Sequence, residues 1–117
     1  MALPTDQIDP ITRAALASFK AMLAARHGGN LKTLYLFGSR ARGDHRPDSD
    51  VDVAVFLDQV ADPLGEQLDL IDDGYPILLD TGVNIQPWVF EQASLVDPSR
   101  HRAAHLVEAV RREGVVL

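Results

Sequence analysis

The chain has 117 residues, 46% of them hydrophobic, and a formal charge of −6 from 11 basic and 17 acidic residues. That length suits a single domain over residues 1–117 with one compact core, and the absence of cysteine excludes disulfides, thiolate zinc sites and cysteine nucleophiles. An acidic chain is a poor grip for a long nucleic acid, which needs clustered Lys and Arg, and no apolar run approaches the roughly 20 residues that span a bilayer. The first ten residues lack the basic and apolar regions of a secretion signal, so the expected setting is the cytoplasm, away from membranes.

In chain order, Asp9-Pro10 places a capping residue before a proline at the first helical position. Ile11, Ala15, Phe19, Met22 and Leu23 then recur at helical spacing until Gly28-Gly29 stops the helix. Residues 31–37 are largely apolar and read as a buried strand that ends at Gly38-Ser39. Residues 51–57 form a second strand, with Val51, Val53 and Val55 on one face and Asp50, Asp52, Ala54 and Phe56 on the other. Leu64, Leu68, Ile71 and Tyr75 mark the apolar face of a further helix, which Pro76 is expected to end or kink. Residues 83–90 read as a third strand, and Pro87 in its middle predicts an edge position or a bulge. A closing helix carries Ala103, Leu106 and Val110, with Arg111 and Arg112 in its last turn, where they complement the helix dipole. The pattern is α/β or α+β with a small sheet.

Two strand ends carry the chemistry. Gly38 ends the first strand and is followed by the hydroxyl of Ser39; glycine lets the main chain approach a ligand closely, and successive amides favour anionic oxygens. Arg40, Arg42 and Arg46 fall within seven residues, a local basic spot on an acidic body that suits one small anion. Eleven residues after Ser39, Asp50 and Asp52 leave the same strand face with Cα atoms about 6.6 Å apart. Like charges side by side on a sheet repel, and aspartate is depleted in strands. A divalent cation offsets that cost, since Mg²⁺ takes one or two carboxylates together with phosphate oxygens and water. A bare Asp-x-Asp or Gly-Ser pair is more often an ordinary turn. Joined between two apolar strands, the two features point to a site for Mg²⁺ and a nucleoside triphosphate.

The stretch GSRARGDHRPDSDVD resembles the signature of the minimal nucleotidyltransferases of the DNA polymerase β superfamily. The resemblance covers most of residues 8–113 by element order, with the diagnostic part in the central fifteen. It implies a nucleotidyltransferase fold, a small mixed sheet flanked by helices. It also implies that Gly38 and Ser39 hold the triphosphate, that Arg42 contacts phosphate, with Arg40 a weaker candidate, and that Asp50 and Asp52 bind Mg²⁺ and are catalytic. The implied reaction is transfer of a nucleoside monophosphate, AMP from ATP, to a hydroxyl acceptor. Many minimal nucleotidyltransferases are antitoxins that modify a tyrosine of a helical HEPN-domain ribonuclease toxin. The resemblance therefore implies a HEPN-type partner, and a homo-oligomer is equally compatible with the chain.

One departure bears on catalysis. The superfamily's third carboxylate lies on the following strand, but here 83–87 reads Val-Asn-Ile-Gln-Pro and holds no acid. Gln86, or Asn84 in the other register, stands where that carboxylate is expected. An amide cannot take a proton near neutral pH, so the alternative reading is a catalytically weakened nucleotide-binding or partner-docking module. Asp80 reads as a helix-end residue and Asp72-Asp73 as surface. His101 and His105, spaced i, i+4, lack a third nearby ligand for zinc. Trp88 reads as a packing residue rather than a base-stacking one.

Overall fold

The computed structural model describes residues 8–100 and 103–117. Helix α1 (Pro10–His27) starts at Asp9, whose side chain accepts from the Thr12 amide at 2.9 Å, and ends at Gly28. A short 3-10 turn leads into β1 (Leu31–Phe37), after which come a four-residue helix, α2 (Ser39–Arg42), and β2 (Val51–Leu57). Helix α3 (Pro63–Thr81), capped by Asp62, crosses to β3 (Ile85–Glu91). A short α4 (Gln92–Val96), α5 (Ala104–Glu113) and a two-residue β4 (Val115–Val116) complete the described chain.

The strands lie in the order β3-β2-β1-β4. β1 is antiparallel to β2 and to β4, whereas β2 and β3 run parallel. This is a mixed sheet in an α+β fold, as expected. Because side chains alternate along a strand, the two faces have different roles. Val51, Val53, Val55, Leu34, Leu36 and Ile85 pack against Ala15, Leu16, Phe19 and Leu23 of α1 and Leu70 and Ile77 of α3. On the opposite face Ala54, Phe56 and Phe90 pack against Val107 and Val110 of α5. Phe56 is fully buried there, stacked on Phe90 at 5.3 Å and meeting the edge of Tyr35 at 5.7 Å. Helix α5 covers only one end of this face. Asp50, Asp52, Gln86 and Trp88 emerge at the other.

The strand expected at 83–90 begins at Ile85, since Val83 and Asn84 complete the turn out of α3. Pro87 does lie on an edge strand. In the parallel ladder the Val51 amide donates to the Asn84 carbonyl at 2.9 Å, so the main-chain groups of 84, 86 and 88 face β2 and those of 85, 87 and 89 face outward. The missing N–H of Pro87 therefore costs no ladder bond. The Gln67 side chain bonds the outward Pro87 carbonyl at 2.6 Å and the Val89 amide at 2.9 Å, as a neighbouring strand's peptide group would.

Helix α3 differs from expectation in two ways. Pro76 does not end it; Pro76 and Asp72 are both exposed, so the Asp72 carbonyl released by the proline can bond water. The face chosen from the sequence is the outer one: Leu64, Leu68, Ile71 and Tyr75 are exposed, as is Leu79, and the core is met by Leu70, Gly74 and Ile77. In α1, Ile11 faces solvent and Leu16 takes a core position. No described helix is long and apolar enough to cross a membrane.

These placements predict opposite outcomes for two truncations. Phe56→Ala should lose about 3–5 kcal/mol, whereas Leu68→Ser should change stability by no more than about 0.5 kcal/mol. Urea unfolding of both variants measures the difference.

Candidate active site

The antiparallel register pairs Phe37 with Asp52, so the residue where β1 ends is set beside the carboxylate where β2 begins. Gly38 turns the chain there with φ 77° and ψ −156°, a conformation essentially restricted to glycine. A Cβ at this position would lie 2.5 Å from Asp52 Oδ2 and 3.3 Å from its Cγ. Glycine is thus required twice, by its dihedral angles and by the space the carboxylate fills. The structure brings Gly38, Asp50 and Asp52 to one place.

The segment between the strands is braced from within. Arg40, weighed above as a phosphate contact, is directed elsewhere: its guanidinium donates to the carbonyls of Pro47 at 3.3 Å and Ser49 at 3.0 Å and reaches Asp9 at 3.5 Å. Its five donors suit it to gathering carbonyls along a loop, and it holds the approach to Asp50. Arg42 leaves the other side of the turn and is nearly half-exposed. It is held by Asp44 at 3.2 Å and by Glu113 at 3.0 Å. Among the described residues, the hydroxyl of Ser39 has no hydrogen-bond partner.

The parallel register settles which amide neighbours which acid. Gln86 is the partner of Asp52, and Asn84 donates to Asp50 Oδ1 at 2.9 Å. Gln86 in turn donates to the Asn84 side-chain oxygen at 3.4 Å. Gln86 is thus the residue on β3 beside Asp52, and Asn84 the one beside Asp50. Trp88, read as a core or edge packing residue, lies on the edge strand, is 37% exposed, and its indole N–H points at Asp52 Oδ1 from 3.5 Å.

Burial, the largest effect, pushes the Asp52 carboxyl above its ordinary range; the Trp88 N–H opposes this, the negative charge of Asp50 adds to it, and Arg42 opposes it. Positive charge brought to the pair would relieve the cost of ionising Asp52. Among the described residues no group of three His, Cys, Asp or Glu is arranged for a metal. His101, one half of the histidine pair, lies outside them. Two carboxylates on one face fit Mg²⁺ only if other oxygens complete its shell, which phosphates and water do in nucleotide sites.

Residues 20–117 match the family described as Polymerase beta, Nucleotidyltransferase. This chain belongs to that family. No curated protein matches it. Among solved structures, a toxin–antitoxin complex with AMP-PNP is 20% identical and superposes with a TM-score of 0.58, covering 84% of this chain and 68% of that one. A mutant of the toxin–antitoxin MntA-HpeT is 18% identical, with a TM-score of 0.57 over 83% of this chain and 68% of that one. A nucleotidyltransferase structure from Sulfolobus solfataricus is 17% identical, with a TM-score of 0.51 over 92% and 86%. At these identities the likeness is one of fold.

Glu113, the last residue of α5, had no motif to reveal it. Its carboxylate accepts from the Gly38 amide at 3.3 Å and from Arg42 at 3.0 Å. The only sequence signal was an acid at a helix C-terminus, where the dipole disfavours negative charge.

Two measurements test this geometry. Gly38→Ala should cost about 1–3 kcal/mol and displace Asp52. Asp52 holds its proton more tightly in the folded chain, so its contribution to stability is full below the ordinary value of 3.8 and is lost as pH rises through the raised folded value. In metal-free buffer Asp52→Asn, which cannot ionise, should melt above wild type at neutral pH. That gap should close on acidification, as read by calorimetry.

Proposed function

We propose that this chain transfers a nucleoside monophosphate, AMP from ATP, to a hydroxyl acceptor with release of pyrophosphate. We infer that it works as one cytoplasmic domain and that the acceptor is a tyrosine on a helical HEPN-type toxin, which makes the chain an antitoxin. The observation that carries the reading is the placement of Asp52 against Gly38, with Asp50 on the same strand face. Membership of the nucleotidyltransferase family supports the reaction class. The partner is supported by structural neighbours solved as toxin–antitoxin complexes, one of them with AMP-PNP.

In this reading Asp50 and Asp52 hold Mg²⁺, which would supply charge neutralisation on the phosphates when bound. The open main chain at Gly38, the Ser39 hydroxyl and the Arg42 guanidinium hold the triphosphate. The acceptor oxygen forms a bond to the α-phosphorus as the bond to the pyrophosphate oxygen breaks, and the hydroxyl proton leaves to solvent or to the partner. Gln86 cannot take that proton; it offers an amide donor or acceptor beside Asp52. A groove lined by Ile71, Gly74, Tyr75, Leu78, Asn84 and Gln86 runs from this point to the outer apolar stripe of α3. That continuity favours a polypeptide acceptor, lying over the stripe with its hydroxyl at the Gln86 end.

The amide at 86 also favours a second reading, in which the domain binds nucleotide and docks its partner without chemistry. ATP labelled at the α-phosphate, with Mg²⁺ and the product of the neighbouring gene, separates the two. Label on the partner that vanishes in Asp52→Asn supports transfer, and a tight unlabelled complex supports docking. Gln86→Asp should raise the rate of labelling by about 10²–10⁴-fold. No response to that change would remove Gln86 from the reaction.

A further inference from the structure

One oxygen of Glu113, Oε1, receives both the Gly38 N–H at 3.3 Å and Arg42 Nη1 at 3.0 Å. The glutamate side chain is only 13% exposed, so its charge is held close to these two donors with little water to screen it. A main-chain amide beside a tight turn and a guanidinium converging on one anionic oxygen is how a phosphate oxygen is held. Under the function proposed above, on which this inference rests, these are among the donors that receive the triphosphate.

A carboxylate in this place can act in two ways. It can stay and aim Arg42, or it can occupy the anion's place and leave when the anion arrives. Three observations favour departure. Arg42 has a second tether, Asp44, which bonds its Nε at 3.2 Å and does not depend on Glu113. The Gly38 amide has one hydrogen, which cannot serve a carboxylate and a phosphate together at full strength. A glutamate remaining beside a triphosphate would also set like charges together where water is scarce.

We propose that Glu113 is a resident anion that competes with nucleoside triphosphate for the Gly38 amide and Arg42. Its departure has a structural consequence. Glu113 is followed by Gly114 and β4, which is held to β1 through the pairs Leu36–Val115 and Tyr35–Val116 and by the Leu117 amide on the Leu34 carbonyl at 2.9 Å. Triphosphate binding and a tightly docked end of α5 then oppose each other, so loading the site loosens the α5–β4 junction.

Calorimetric titration of the full chain with Mg²⁺ and AMP-PNP tests this, using Glu113→Gln and Glu113→Ala, each checked for folding by its melting curve. Both variants are expected to bind up to about fivefold more tightly than wild type, the value of one partly exposed charge pair. Hydrogen exchange at the Val115 and Leu117 amides of the wild type should speed up when AMP-PNP is added. Unchanged or weaker binding by a folded variant overturns the proposal and makes Glu113 a brace for Arg42. If neither wild type nor variants bind AMP-PNP, the nucleotide reading fails and takes this inference with it. Binding by wild type with no gain in the variants sinks the inference alone.

Discussion

Asp52 lies against the main chain of Gly38 at the point where β1 and β2 part, and no side chain fits between them. The antiparallel pairing of Phe37 with Asp52 creates this contact. It forces the intervening residues to leave the sheet and return within one short excursion. Helix α2 and the Arg40 bonds to the Pro47 and Ser49 carbonyls make that excursion rigid enough to deliver Asp50 to the face of Asp52. Removing the close approach would leave the half-buried Asp52 and the exposed Asp50 with no defined relation to the Ser39 hydroxyl or to Arg42.

The parallel neighbour strand determines what balances those charges. Because β2 and β3 share direction and register, Asn84 lies beside Asp50 and Gln86 beside Asp52. A third carboxylate there would add repulsion to a pair in which ionisation of Asp52 is already disfavoured. The Gln86 amide adds no charge there and donates to the Asn84 side-chain oxygen, while Asn84 donates to the Asp50 carboxylate. The strand thus favours an ordered site before any cation arrives, at the expense of a group that could take a proton. Trp88 acts in the same sense, directing an N–H at Asp52 from two residues further along.

The parts legible in the sequence were those whose signal is local. Residues 31–37 and 51–57 were bounded correctly because apolar runs there end at Gly38 and begin after Asp50. Alternation along β2 placed Asp50 and Asp52 on one face without any knowledge of the sheet. Helix α3 was found, but its inner face was misassigned. Leu64, Leu68, Ile71 and Tyr75 form a more regular apolar series than Leu70, Gly74 and Ile77, and periodicity ranks faces by apolar content, not by which one a sheet covers. The choice between Asn84 and Gln86 needed the β2–β3 register, which no property of either strand alone supplies. Strand β4 is too short to carry a pattern. Glu113 reaches the site only because α5 ends above it, a contact across 75 residues.

The outward apolar face of α3 and the closed edge of β3 constrain each other. An edge strand exposes main-chain donors and acceptors to which another strand can add. On β3, Pro87 lacks the donor, and Gln67 occupies the Pro87 carbonyl and the Val89 amide. Strand addition beside Gln86 is thereby hindered, although this edge borders the candidate site. What stays open along the same margin is side-chain surface: Leu68, Ile71 and Tyr75 on α3 and the groove that leads from Ile71 and Tyr75 to Gln86. A polypeptide approaching from this side meets apolar side chains, not free backbone. A polypeptide bound there would be selected by side-chain shape and by the acidic flank of α3, where Asp72 and Asp80 are exposed. A feature that disfavours edge-to-edge pairing would therefore also narrow the partners able to approach the carboxylates from this side.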